Sequence, residues 1–151
     1  TAFPSGESTF RANAENYTAQ LDMLHADFEA AFSENGTCTE NKEVVANHNA
    51  YAYLALRYDI EFLTVHGLDP EGEPSAADIA EVVEQINEKG LTVLFVEEYT
   101  NQDAVQSIVQ ETGVTVKILY TMELPPDADS GETYLTMMNK NLDNLVAGMG
   151  C

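Results

Sequence analysis

The sequence predicts an α/β protein: a four-stranded parallel, Rossmann-like sheet flanked by helices and preceded by one long N-terminal backbone helix. Three observations carry this expectation. From residue 43 onward, short apolar runs alternate with longer amphipathic segments, the order β-α-β-α-β-α-β-α that builds a parallel sheet with helices on both faces. One run, LTVLFV at 91–96, is apolar almost without a break, as a central parallel strand covered on both faces requires. Ahead of the alternation, apolar positions from Phe10 to Ala31 or Phe32 step by four and three, which makes one amphipathic stripe.

In chain order, residues 1–7 read as a loop containing Pro4 and Gly6. The long helix starts at Ser8 and carries Phe10, Ala14, Tyr17, Leu21, Leu24 and Phe28 on one buried face. About 25 residues at 1.5 Å each give nearly 40 Å, long for a domain this small, so the helix is expected to reach past its own domain. His25 lies beside the stripe and reads as a surface or boundary histidine. Gly36 and a polar loop through Asn41 end the helix. Strand one, 43–46, leads through Asn47 and His48 into a helix at 49–58 that has Ala50, Tyr51, Leu54 and Tyr58 for its buried side. Strand two, 61–65, closes on His66, Gly67 and LDPEGEP. The next helix, 75–89, opens on the capping box Ser75-x-x-Asp78 and stops at Gly90. After strand three, Thr100 or Asn101 caps a helix that ends at Gly113. Strand four, 114–119, and the loop YTMELPPDAD lead to a last helix at 130–148.

A chain of 151 residues, 44% hydrophobic, suits one compact domain. No run of roughly 18 apolar residues exists to insert into a membrane. Residues 1–7 lack the pattern of a signal peptide, so an export signal is expected outside this chain. Six Lys+Arg face 26 Asp+Glu, a formal charge of −20, which repels nucleic acid and anionic lipid and attracts cations only diffusely. The two cysteines, Cys38 in ENGTCTEN and Cys151 at the end, form no CxxC or Cys/His cluster. Counting alone leaves open a staple across the domain or two separate thiols; a staple would imply an oxidising compartment. The sequons at Asn16 and Asn35 are compatible with export.

The carboxyl ends of the strands of such a sheet share one rim, where ligands bind. The rim carries His48 after strand one, His66, Asp69 and Glu71 after strand two, Glu97 and Glu98 after strand three, and Glu123, Asp127 and Asp129 after strand four. NHNAYAY holds no GxGxxG or GxxxxGKS, so nucleotide binding is not expected. A GxSxG elbow is absent too, and no nucleophile stands at the rim. Imidazole and carboxylates remain, a set that suits a divalent transition metal. A histidine at a strand end is also a common structural residue, and a carboxylate there can cap a neighbouring helix.

VVANHNAYAYLALRY resembles the strand–His–helix signature of the metal-binding solute-binding proteins of ABC transporters, the zinc and manganese uptake group (cluster A-I, TroA/ZnuA-like). FRANAENYTAQLDMLHADFEAAF is similar to that family's long backbone helix, GLDPEGEPSAADIAEVVEQI to its loop and helix after strand two, LFVEEYTNQDAVQSIVQETGVTV to its Phe-Val-Glu strand and successor, and TYLTMMNKNLDNLVAGMGC to its terminal helix. The order and spacing agree over nearly the whole chain.

The resemblance implies two lobes bridged by a rigid helix, with metal between them. On that frame residues 1–36 are the bridging helix with its tail and 37–151 the C-terminal lobe; the N-terminal lobe, which normally supplies two histidines, is absent. His48 then matches the third family ligand, and a histidine there leans towards Zn2+ over Mn2+. The fourth ligand is expected from LYTMELPP, where the aspartate of a DPLG-like motif falls on Met122; Glu123 is the expected substitute, with Asp127 or a water as alternatives. Glu97 matches a glutamate that supports the site without binding the metal. The family also implies a Cys38–Cys151 disulfide. The implied function is extracytoplasmic binding of zinc, or manganese, for delivery to an ABC permease by a lipid-anchored protein of periplasm or cell surface, with no enzymatic activity and weak metal binding by this lobe alone. The alternative is a cell-surface adhesion or interaction module derived from the lobe.

Overall fold

The computed structural model describes residues 3–40, 42–47, 49–64, 75–100 and 105–151. His48, Val65, His66, Asp69, Glu71 and Asn101 lie outside the described residues. A 3-10 turn, Pro4–Gly6, replaces the expected loop and runs into helix α1, Glu7–Phe32. The alternation follows: β1 (Glu43–Ala46), α2 (Ala52–Tyr58), β2 (Glu61–Thr64), α3 (Ala76–Lys89), β3 (Val93–Val96), α4 (Gln106–Thr112), β4 (Thr115–Ile118) and α5 (Tyr134–Met149).

All strands pair in parallel, in the order β2-β1-β3-β4. The chain steps from β1 to β2 on one side and then crosses to β3 on the other. The switch point therefore falls between β1 and β3, which opens the ligand crevice of a doubly wound sheet at the carboxyl ends of these two strands.

Side-chain alternation divides the core. Val44, Ala46, Val93 and Phe95 face Leu24, Phe28, Phe32 and Leu145, under α1, α2 and α5. Val45, Leu94 and Val96 face Val82, Ile86 and Ile108, under α3 and α4. Helix α5 lies so close to the sheet that a Cβ on Gly148 would stand 2.5 Å from the Phe95 ring. Cys38 and Cys151 are bonded, with Cα atoms 5.3 Å apart, which ties the end of α1 to the end of α5.

Four expectations need correction. The stripe on α1 is buried only at Leu24, Phe28, Ala31 and Phe32; Phe10 and Tyr17 are 57% and 46% exposed, because the sheet is too short to reach them. Strand β3 begins at Val93, since Leu91 N donates to Ile86 O and closes the end of α3. Helix α2 begins at Ala52: Tyr51 has φ −109° and ψ 20°, and the first turn closes only with Ala55 N on Tyr51 O. Helix α5 begins at Tyr134. Ser130 folds its hydroxyl onto Asp127 O in a turn, and the capping box is made by Thr133 and Thr136. On α3 the Ser75–Asp78 capping box is present as expected.

Candidate metal centre

The crevice is built from the turns that follow β1, β3 and β4. Asn47 leaves β1 buried, at 5% exposure, with its backbone N–H on Phe95 O at 2.9 Å. Its Nδ2 donates to Thr100 Oγ1 at 3.2 Å, across the switch point. Its Oδ1 is buried and has no hydrogen-bond partner among the described residues. His48 comes next in the chain, so the expected ligand itself is not described.

Glu97 is half-buried at the end of β3 with Oε1 out of solvent. Glu98 has a structural role the sequence did not disclose. Its Oε2 accepts from Thr121 N at 3.0 Å and its Oε1 lies 3.5 Å from Thr121 Oγ1, so it binds the β3 turn to the loop after β4. In that loop Met122 has φ 60°, a left-handed conformation unusual for a side-chain-bearing residue. Glu123 follows, exposed, with its N–H on Thr121 Oγ1 at 3.3 Å. Asp127 and Asp129 are exposed further along.

Tyr51 stands behind this rim. It is 3% exposed, stacks on Phe62 with centroids 5.2 Å apart, and donates its hydroxyl to Leu119 O at 2.8 Å. Burial first, and then the charges of Glu98 and Glu123, push its hydroxyl far above the ordinary tyrosine range, so it stays a donor. Asn141 of α5, fully buried, holds the same loop from the other side. It accepts from Tyr120 N at 2.7 Å and donates to Tyr120 O at 2.9 Å. Asn144 adds a bond to Ile118 O at 2.9 Å. A run reading NKNLDN gave no sign of this role, because it depends on which strand lies at the sheet edge.

His25 is engaged elsewhere. Arg57 Nη2 lies 3.0 Å from His25 Nε2 and can only donate, so Nε2 accepts. The proton then sits on Nδ1, which faces Tyr58 Oη at 3.0 Å. Among the described residues no three His, Cys, Asp or Glu side chains gather as a metal site. The structure thus brings the loops of Glu98 and Glu123 to the crevice and holds His25 away at the α1–α2 contact.

The sequence matches the family of the zinc-uptake complex component A, periplasmic (ZnuA), over residues 1–148. The chain belongs to the ZnuA family. Among relatives of this ZnuA-family chain is the zinc-binding lipoprotein AdcA of Streptococcus pneumoniae, 32% identical over 145 residues, 95% of this chain and 28% of that protein. The Zn(II)-bound ZnuA-like domain of AdcA from Streptococcus pneumoniae superposes with a TM-score of 0.77 at 32% identity, over 99% of this chain and 55% of that one. The laminin-binding protein Lmb of Streptococcus agalactiae, described as bifunctional with adhesin and metal-transporting activity, gives 0.82 at 26% identity, over 97% and 55%. The family is one of metal-binding transport components. The chain spans about a quarter to a half of the length of these relatives. No described helix is long and apolar enough to cross a membrane.

Proposed function

We propose that this chain is the C-terminal lobe, with its bridging helix, of an extracytoplasmic solute-binding protein that captures zinc and delivers it to an ABC permease. The observation that carries the reading is the linking of three turns at the switch-point rim, Asn47 after β1 to Thr100 after β3, and Glu98 after β3 to the loop of Glu123 after β4. Residues 1–36 form the bridge and its tail, and residues 37–151 the lobe. Within the lobe, neutral His48 and the Glu123 carboxylate are the two ligands, and Glu97 supports them without touching the metal. A second lobe completes a roughly tetrahedral set, the geometry zinc prefers; manganese is the second metal of the reading. The exposed upper stripe of α1, with Phe10 and Tyr17, is the side that lobe covers. The metal is cargo, so no catalytic step is involved. The protein works outside the cytoplasmic membrane, held by a lipid anchor as the name of its pneumococcal relative says of that protein.

Two ligands bind weakly. Calorimetric zinc titration of the 151-residue chain is expected to give one saturable site that disappears in His48→Ala and weakens in Glu123→Gln. Equal binding by all three would assign the metal to the acidic surface instead.

A second reading, surface interaction with the metal role reduced, is favoured by Tyr53 and Leu56, 91% and 86% exposed on α2, and by the adhesin activity named for Lmb. Retention of the chain on immobilised laminin, lost in Tyr53→Ser/Leu56→Ser, would support it.

A further inference from the structure

We propose that the turn after β3, residues 97–100, is a bracket that sets the spacing of the two ligand-bearing loops while supplying no ligand itself; the inference rests on the reading of His48 and Glu123 as ligands. The turn closes on itself through Thr100 N on Glu97 O at 3.2 Å. It then holds one loop with each end. On the β1 side Thr100 Oγ1 takes the Asn47 amide at 3.2 Å, one residue before His48. On the β4 side the Glu98 carboxylate takes Thr121, two residues before Glu123.

The chemistry of each partner suits the task. A carboxylate is an acceptor at both oxygens, so Glu98 can engage the N–H and the hydroxyl of Thr121 together. The Thr121 hydroxyl, having donated to Glu98, still accepts the N–H of Glu123 at 3.3 Å. Residue 121 is thereby fixed in place and direction, and the left-handed Met122 between the two contacts sets the path on which Glu123 leaves. On the opposite side Asn47 is gripped by its amide nitrogen and by its backbone, which leaves buried Oδ1 as an acceptor at the rim.

Zinc titration of Glu98→Ala, Glu98→Gln and Thr100→Val beside His48→Ala and Glu123→Gln tests the bracket. Glu98→Ala is expected to weaken zinc binding by about 10- to 100-fold, the usual loss when a group that orients a ligand is removed. Glu98→Gln keeps an acceptor for Thr121 N and should recover most of it. The Glu98→Ala loss should vanish in the Glu123→Gln background, which still binds zinc measurably and has no Glu123 carboxylate left to orient, whereas the Thr100→Val loss, acting on the His48 side, should persist there at full size. A general loss of structure would not show this pairing. Full zinc affinity in Glu98→Ala, or a loss of equal size with and without Glu123, would overturn the bracket while the ligand reading stood. Unchanged binding in His48→Ala and Glu123→Gln would sink the ligand reading first and leave the bracket nothing to position.

Discussion

Asn141 does the work of a missing strand. β4 is an edge of the sheet, so the backbone of Tyr120 just beyond it has no further strand to pair with. The Asn141 amide gives Tyr120 an acceptor and a donor in the geometry a next strand would offer. Asn141→Leu keeps the volume and removes the partner of both part-buried groups of Tyr120. We expect a loss of roughly 3 kcal/mol, from about 1–3 kcal/mol per orphaned group, seen as a lower urea midpoint at unchanged slope. An unchanged midpoint would mean that water serves Tyr120 equally well. Tyr51 makes a prediction in pH. Its hydroxyl is held above the ordinary value of 10.0, mainly by burial, so the folded chain keeps a proton that the unfolded chain releases. The stability it contributes is intact below that ordinary value and is lost as pH rises beyond it. Tyr51→Phe should cost about 1 kcal/mol at neutral pH, for the bond to Leu119 O, and should flatten the alkaline fall in stability. Parallel alkaline limbs for the two proteins would contradict the assignment.

At the scale of elements, much was legible because one residue type answers to one local demand. Ser75 and Asp78 form the capping box that their spacing announces, and the apolar residues Val93–Val96 are all buried, with no solvent face. The misread boundaries lie where two local solutions compete. Ser130 and Thr133 are both plausible caps, and Ser130 is consumed by the turn with Asp127. The stripe on α1 is legible in the sequence as a stripe, but how far it is buried depends on the size of the neighbouring sheet. The link between Cys38 and Cys151 joins the two helices that cover one face, over a sequence separation of 113. Closing so long a loop stabilises by about 4–5 kcal/mol in the chain-entropy view. Reduction should lower the urea midpoint accordingly, and coincident oxidised and reduced curves would show that the unfolded chain is already compact.

For the whole molecule, topology places the crevice, and the crevice selects which of many acidic residues matter. Of the rim residues, Glu97, Glu98 and Glu123 could be read from the sequence because every parallel strand delivers its carboxyl end to the same side. The clamp of Glu98 on Thr121 could not, since it joins residues 23 apart through the depth and order of strands. Nor does a charge of −20 discriminate: an acidic surface attracts cations everywhere, so bound zinc alone says little about a site. The three histidines do discriminate. A nitrogen-resolved NMR titration follows each imidazole as zinc is added. The account predicts that His48 alone moves, with saturation at one equivalent, while His25 keeps its proton on Nδ1 between Tyr58 and Arg57. Zinc that shifts His25 or His66 as much as His48, or that binds without moving His48, would contradict it.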